Sequence, residues 1–185
     1  MRSITKVVIA LLIGLLGGLI PVASASASTP SPAQLGGLDL GAYCRAIGWA
    51  DAALTGPTAY DWHCVANDGR RGDLTFDAAC RWTYSTGDAV DRIGDFRDPA
   101  SVTCFRVTPT VTTPDFEHYC TATGHSAAVL LGASVYDWRC VSYSRAGPTY
   151  YNVYVRAVCQ WTTAQTAAID RFVNYSNARS WQCRV

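Results

Sequence analysis

From Val7 to Ile20 the chain is almost uniformly apolar, with a break at Gly17-Gly18. Arg2 and Lys6 precede this run, and the small-x-small triplets Ala23-Ser24-Ala25 and Ala25-Ser26-Ala27 follow it. That order is the order of an export signal, residues 1–27. The run of 14 residues is shorter than the roughly 20 a membrane-spanning helix needs, so no span is expected after cleavage. Ser28 to Gly37 is rich in Ser, Pro and Gly, and residues 28–38 read as a flexible lead-in.

Beyond that point the pattern becomes periodic. Asp39 and Asp115 stand where they cap short helices through Tyr43-Cys44 and Tyr119-Cys120, which Gly48 and Gly124 end. Alternation in Tyr60-Asp61-Trp62-His63-Cys64-Val65, and again in Tyr136-Asp137-Trp138-Arg139-Cys140-Val141, predicts a strand with Tyr, Trp and Cys on one face and Asp on the other. Leu74 to Phe76 and Tyr151 to Val155 read as a second strand. A longer helix is expected from about Asp77 to Ile93 and from Arg156 to Phe172, with a last strand carrying Cys104 or Cys183. The class is α+β, two helices on a short antiparallel sheet.

The same pattern is written twice. The Tyr-Asp-Trp-x-Cys-Val motif returns at an offset of 76, and Ala79-Cys80-Arg81-Trp82-Thr83 returns as Val158-Cys159-Gln160-Trp161-Thr162 at an offset of 79. Cysteine separations are 20, 16 and 24 in the first copy and 20, 19 and 24 in the second. The chain therefore divides into two homologous units, 39–107 and 115–185, joined by the short, stiff Thr/Pro/Val linker 108–114.

A unit of about 70 residues is marginal as a free-standing core. An even number of cysteines in an exported chain, with no C-x-x-C pair, points to disulfides and away from zinc. Four cysteines allow three pairings per unit. Packing of each helix against its neighbouring strand favours Cys44–Cys64, Cys80–Cys104, Cys120–Cys140 and Cys159–Cys183. Each such loop is worth roughly 3 kcal/mol in the chain-entropy view. Hydrophobic residues make up 49% and charged residues 16% of the chain, which excludes a disordered or polybasic protein. The part after the signal has 13 Arg, no Lys and 14 acids, so no global field selects nucleic acid or a membrane surface.

Catalytic chemistry is scarce. Glu117 is the single glutamate, and no Gly-x-Ser-x-Gly, His-Glu-x-x-His or phosphate loop occurs. His63 is expected to be a solvated strand residue, and His118 and His125 flank a helix with no nameable partner. Asp61 and Asp137 recur in both copies and read as structural, turn-capping acids. Asn67-Asp68-Gly69 reads as a hairpin turn and not a calcium loop, Arg71-Gly72-Asp73 as a chance integrin tripeptide, and Asn174-Tyr175-Ser176 as a formal glycosylation acceptor. No enzyme activity, cofactor or metal is expected.

The copies differ most before the long helix. Val153 and Val155 align with Leu74 and Phe76 and are expected in the core, which turns Tyr150, Asn152, Tyr154 and Arg156 outward. Their counterparts are Arg71, Asp73, Thr75 and Asp77. Tyr planes interleaved with amide and guanidinium donors suit a sugar ring or a protein hot spot. The competing reading is that these tyrosines pack between the copies. From Asp39 to Val107 the balance is seven Arg to ten Asp, and from Asp115 to Val185 six Arg to four acids. Opposite signs favour docking of the copies within one monomer, or one partner surface divided between them.

In Tyr60–Cys64, Ala79–Trp82 and Trp181–Cys183 the chain resembles secreted Cys-rich repeat domains common in actinobacteria, with Tyr-x-Trp-x-Cys, Ala-Cys-x-Trp and Trp-x-Cys motifs. The likeness covers nearly all of the part after the signal and departs at Val102, where that pattern has Trp. It implies the compartment and the repeating unit and no activity. Together these readings describe a secreted, extracellular, non-catalytic binding module for a glycan or cell-envelope surface. The alternative is a protein-binding module, either an inhibitor or a component of an exported complex.

Overall fold

The computed structural model describes residues 32–185; the expected export signal, 1–27, and residues 28–31 of the expected lead-in lie outside the described residues. Its first half runs β1 (Ala33–Gly36), α1 (Leu40–Ala46), β2 (Asp51–Leu54), a 3-10 turn (Ala59–Asp61), β3 (Trp62–Val65), β4 (Arg71–Gly72), α2 (Phe76–Thr83), β5 (Ala89–Ile93) and β6 (Val102–Arg106). The second half repeats that succession as β7 (Val111–Thr112), α3 (Phe116–Ala122), β8 (Ala127–Leu130), a 3-10 turn (Val135–Asp137), β9 (Trp138–Ser144), β10 (Gly147–Asn152), α4 (Val155–Thr163), β11 (Ile169–Phe172) and β12 (Trp181–Arg184). The architecture is α+β, with four three-stranded antiparallel sheets ordered β1-β6-β5, β2-β3-β4, β11-β12-β7 and β10-β9-β8.

The short helices follow the capping chemistry of the sequence. Asp39 accepts from the Ala42 N–H at 2.8 Å and Asp115 from the His118 N–H at 3.1 Å, satisfying donors that have no intrahelical partner. Gly48 and Gly124, at φ +93° and +88°, supply the left-handed step beyond the helix end.

Four expectations are corrected. Tyr60-Asp61 and Tyr136-Asp137 belong to the 3-10 turns, so the strands begin only at the Trp. The carboxylate of Asp61 takes the Thr58 N–H and hydroxyl at 2.7 and 2.6 Å, and that of Asp137 takes the Ser134 N–H and hydroxyl, both at 2.8 Å. This local capture by an acid three residues on replaces the extended backbone that alternation suggested. The second strand ends earlier than expected, at Gly72 or Asn152, and Phe76 and Val155 open the helices.

The long helix is the third correction. Ser85 at φ +50° and Ala164 at φ +54° end α2 and α4 within three turns, and the last part of each predicted helix is a strand. Val90 and Ile93 satisfy a helical spacing, yet Val90 pairs with Phe105 and Ile93 with Val102 across β5 and β6. Four of the five β5 residues are buried, so β5 lacks the alternation by which a half-exposed strand is recognised.

The lead-in and the linker are the fourth. Gln34 pairs with Phe105, while Val111 pairs with Arg184 and Thr112 with Cys183. Both segments therefore serve as edge strands and not as free connectors.

Disulfides join Cys44 to Cys64, Cys80 to Cys104, Cys120 to Cys140 and Cys159 to Cys183, the pairing favoured from the sequence. The cysteines lie in the core and pin α1 to β3, α2 to β6, α3 to β9 and α4 to β12. The main apolar cluster draws on both halves, with Ala59, Phe76 and Ile93 packed together with Val135, Val155, Phe172 and Trp181. Val102, the departure from the motif, is buried like Trp181.

Contacts between the halves are reciprocal. Arg92 of β5 bonds Asp170 of β11 at 2.8 Å, and Arg171 of β11 bonds Asp91 of β5 at 2.9 Å. Phe96 stacks on Tyr175 with centroids 3.8 Å apart. Because Asp91-Arg92 and Asp170-Arg171 occupy the same place in their halves, this is the self-complementary pattern of a two-fold contact.

Candidate functional site

The reciprocal contact leaves a cleft on either side of it. Each is walled by the segment that enters the second helix of one half and by the Asp-Arg strand of the other. One cleft, of about 430 Å³, is lined by His63, Asp73, Thr75, Asp77 and Asp91 of the first half and Arg171 of the second. The other, of about 400 Å³, is lined by Arg139, Asn152, Tyr154, Arg156 and Asp170 of the second half and Arg92 of the first, with Trp181 at its base. The volumes are similar, most lining positions match, and the charge is inverted. Three aspartates face one arginine in the first cleft, and three arginines face one aspartate in the second.

In the first cleft Arg171 bridges Asp77 at 2.6 Å and Asp91 at 2.9 Å, and Asp77 also accepts the Asp91 N–H at 3.0 Å. Burial, assisted by the neighbouring Asp77 carboxyl, raises the Asp91 carboxyl to about 7 against the pull of Arg171. Burial also acts on Asp77, but its hydrogen bond with Asp91 and the charge of Arg171 outweigh it and hold Asp77 below the ordinary carboxylate value. The pair thus ties α2, β5 and the opposite half together.

The second cleft receives three of the four residues proposed from the sequence. Asn152 ends β10, Tyr154 is the residue before α4, and Arg156 is the second residue of that helix. Tyr154 is 77% exposed and so stands free of the contact between the halves. Val155 beneath it is buried, and Val153 is half-buried against the core. Tyr150 is also exposed, but it lies outside the cleft on the hairpin surface near Tyr143.

Sequence reasoning missed two members of this site. Arg139 stands where the first half has His63, a difference that could have drawn attention. Arg92 is supplied by the other half, and nothing local in the sequence announces it. Arg139 donates through Nη1 to the carbonyls of Tyr136 and Trp138 at 2.6 and 2.7 Å, and Arg92 is held by Asp170.

The remaining candidates have structural partners. The His125 ring packs on Tyr151 with centroids 4.5 Å apart and lies 3.2 Å from the Ser142 hydroxyl. His118 meets Asp115 at 2.6 Å, and that hydrogen bond and charge raise its pKa. Asp68 pairs with Arg70 beside the Asn67–Gly69 turn, and the Asn174 side chain accepts the Ser176 N–H at 2.9 Å. A further cavity, of about 570 Å³, lies between Phe116, Trp138 and Trp181 and is also lined by Glu117 and Arg179. Two of these aromatic walls are buried in the core, and Glu117 is engaged with the Ala128 N–H at 2.8 Å.

Among the described residues no group of three His, Cys, Asp or Glu side chains is placed to hold a metal ion, and no helix is long and apolar enough to cross a membrane. In comparisons with known proteins, no family model, curated protein or solved structure matches the chain.

Proposed function

We propose that this is a secreted, non-catalytic binding module built from two homologous docked units, whose ligand is a glycan or cell-envelope surface held in the Tyr154 cleft. The observation that carries this reading is Tyr154 itself, a largely exposed aromatic plane at the mouth of a concave site that also offers Asn152, Arg139 and Arg156. An aromatic face takes the C–H surface of a pyranose, and amide and guanidinium donors read its hydroxyls. Four disulfides suit an oxidising, extracellular setting. The repeated element order and the reciprocal contact support descent of the two units from one.

A second reading is a protein partner, favoured by Tyr143 and Tyr150, which are exposed on the β9–β10 hairpin outside the cleft and are of the type that dominates protein hot spots. A glycan array with the secreted protein separates the two. Glycan signal lost in Tyr154→Ala and kept in Tyr150→Ala supports the cleft. No glycan signal, with one partner protein co-purifying only while Tyr143 and Tyr150 are intact, supports the hairpin.

A further inference from the structure

We infer that the ligand of the Tyr154 cleft is an anionic glycan, with a carboxylate or phosphate group gripped at Arg156 and its sugar ring against Tyr154. The inference rests on the proposed glycan reading and adds the charge class of the substrate.

Three arginines converge on one cleft, and their engagement differs. Arg92 is neutralised by Asp170, and Arg139 spends one nitrogen on two backbone carbonyls. Arg156 is exposed and makes no hydrogen bond or ion pair among the described residues. A free guanidinium in a concave site presents its fork of donors to planar or tetrahedral oxyanions, a geometry a neutral hydroxyl does not exploit.

The positive charge is not imposed by the architecture, because the cleft lined at matching positions has a similar volume and the opposite sign. The contrast is sharpest at one position. Asp77 and Arg156 are each the second residue of their helix, and neither Thr75 nor Tyr154 caps that helix with its side chain. An acid in the first turn complements the positive end of the helix dipole, whereas a cation there opposes it. In α2 the rule is obeyed. In α4 the first turn has no acid and carries Arg156 instead, a local cost in stability with no compensating partner among the described residues. Such a departure marks a position kept for binding. A bound oxyanion would offset both charges at once.

The test uses the full secreted chain in isothermal titration against three polymers of matched length: a polyuronate, a neutral β-glucan and a phosphodiester-linked polyol chain. The expected result is binding to one of the anionic polymers at least tenfold tighter than to the neutral glucan, weakening as salt rises. Arg156→Gln should weaken it about tenfold, the range of a charge-assisted hydrogen bond. Whether the polyuronate or the phosphodiester polymer binds identifies the oxyanion. Arg156→Asp guards against misfolding as an explanation, since it should abolish binding while raising the ligand-free Tm by about 1–3 °C. Equal binding of the neutral glucan, with Arg156→Gln silent, overturns the anionic inference and leaves the glycan site standing. Retention of none of the three polymers overturns the inference and the glycan reading together.

Discussion

Tyr154 occupies the N-cap position of α4 without capping it, and its ring stays in solvent although the segment on either side is anchored. A side chain placed this way contributes little to folding, so Tyr154→Ala should leave Tm unchanged within about 0.5 kcal/mol of stability. Glycan affinity should fall by roughly 1–3 kcal/mol, as for a hot-spot aromatic. Calorimetric melting alongside titration checks both, and a large fall in Tm with unchanged affinity would make the tyrosine structural. Elsewhere the two halves exchange bulk between neighbouring positions. In the first half the Trp49 ring covers Gly72, and an added Cβ there would fall on the ring. In the second half the matching pair is His125 on Tyr151. The sequence shows Gly72 only as part of Arg71-Gly72-Asp73, while the structure shows it as a seat for Trp49. Gly72→Ala should cost about 1–3 kcal/mol by overpacking, measured as a lowered midpoint in urea.

At the scale of elements, the helix and strand that follow Cys80 and Cys159 are set by where the left-handed residue falls. Ala164 adopts φ +54° to close α4, a conformation that costs a non-glycine residue roughly 1–2 kcal/mol. Ala164→Gly should therefore stabilise the protein by about 1 kcal/mol, visible as a higher urea midpoint at unchanged slope. The apolar residues beyond it do not state their own secondary structure. Val90 and Ile93 lie three apart, which suits a helix face, and they are equally the buried positions of a strand covered on both sides. What makes β5 a strand is pairing with β6 on its edge and burial against β11 of the other half. The disulfide pairing came out the same despite this misreading. Cys80 in a short α2 and Cys104 in β6 still meet, because α2 packs on the sheet that contains β6.

At the scale of the whole molecule, the contact between the halves depends on pH through Asp91. In an unfolded chain both aspartates titrate near 3.9. Asp91 is raised to about 7 in the folded protein, so its contribution is full below its unfolded value and declines as pH climbs through about 7. Asp77 is lowered, so its contribution is present above the ordinary carboxylate value and is lost as pH falls through its own depressed one. The contact is thus firmest in mildly acidic solution. Thermal melts from pH 5 to pH 8 should show Tm falling, and Asp91→Asn, which cannot ionise, should flatten that fall. A slope unchanged in the variant would show that another group governs it. Arg171→Met should be more damaging above neutral pH, by about 3–5 kcal/mol, because there it strands the Asp77 and Asp91 carboxylates, one half-buried and one buried, without their cation.

Much of this protein is legible from local signals. Capping aspartates, turn glycines and the even, repeated cysteines define α1 and α3, the α+β class and the covalent framework, because caps, turns and crosslinks act over short stretches of chain. Asn152, Tyr154 and Arg156 could be singled out for the same reason: they differ from Asp73, Thr75 and Asp77 at aligned positions. The tertiary structure decided that residues 33–36 and 111–112 are strands, that the stretches before Ile93 and Phe172 are extended, and that Arg92 and Arg139 complete a cleft with Tyr154. Each of these depends on a partner distant in sequence. An edge strand needs the strand it pairs with, a doubly buried strand needs both of its neighbours, and a cleft walled by two halves exists only once Arg92 and Arg171 have crossed to Asp170 and Asp91.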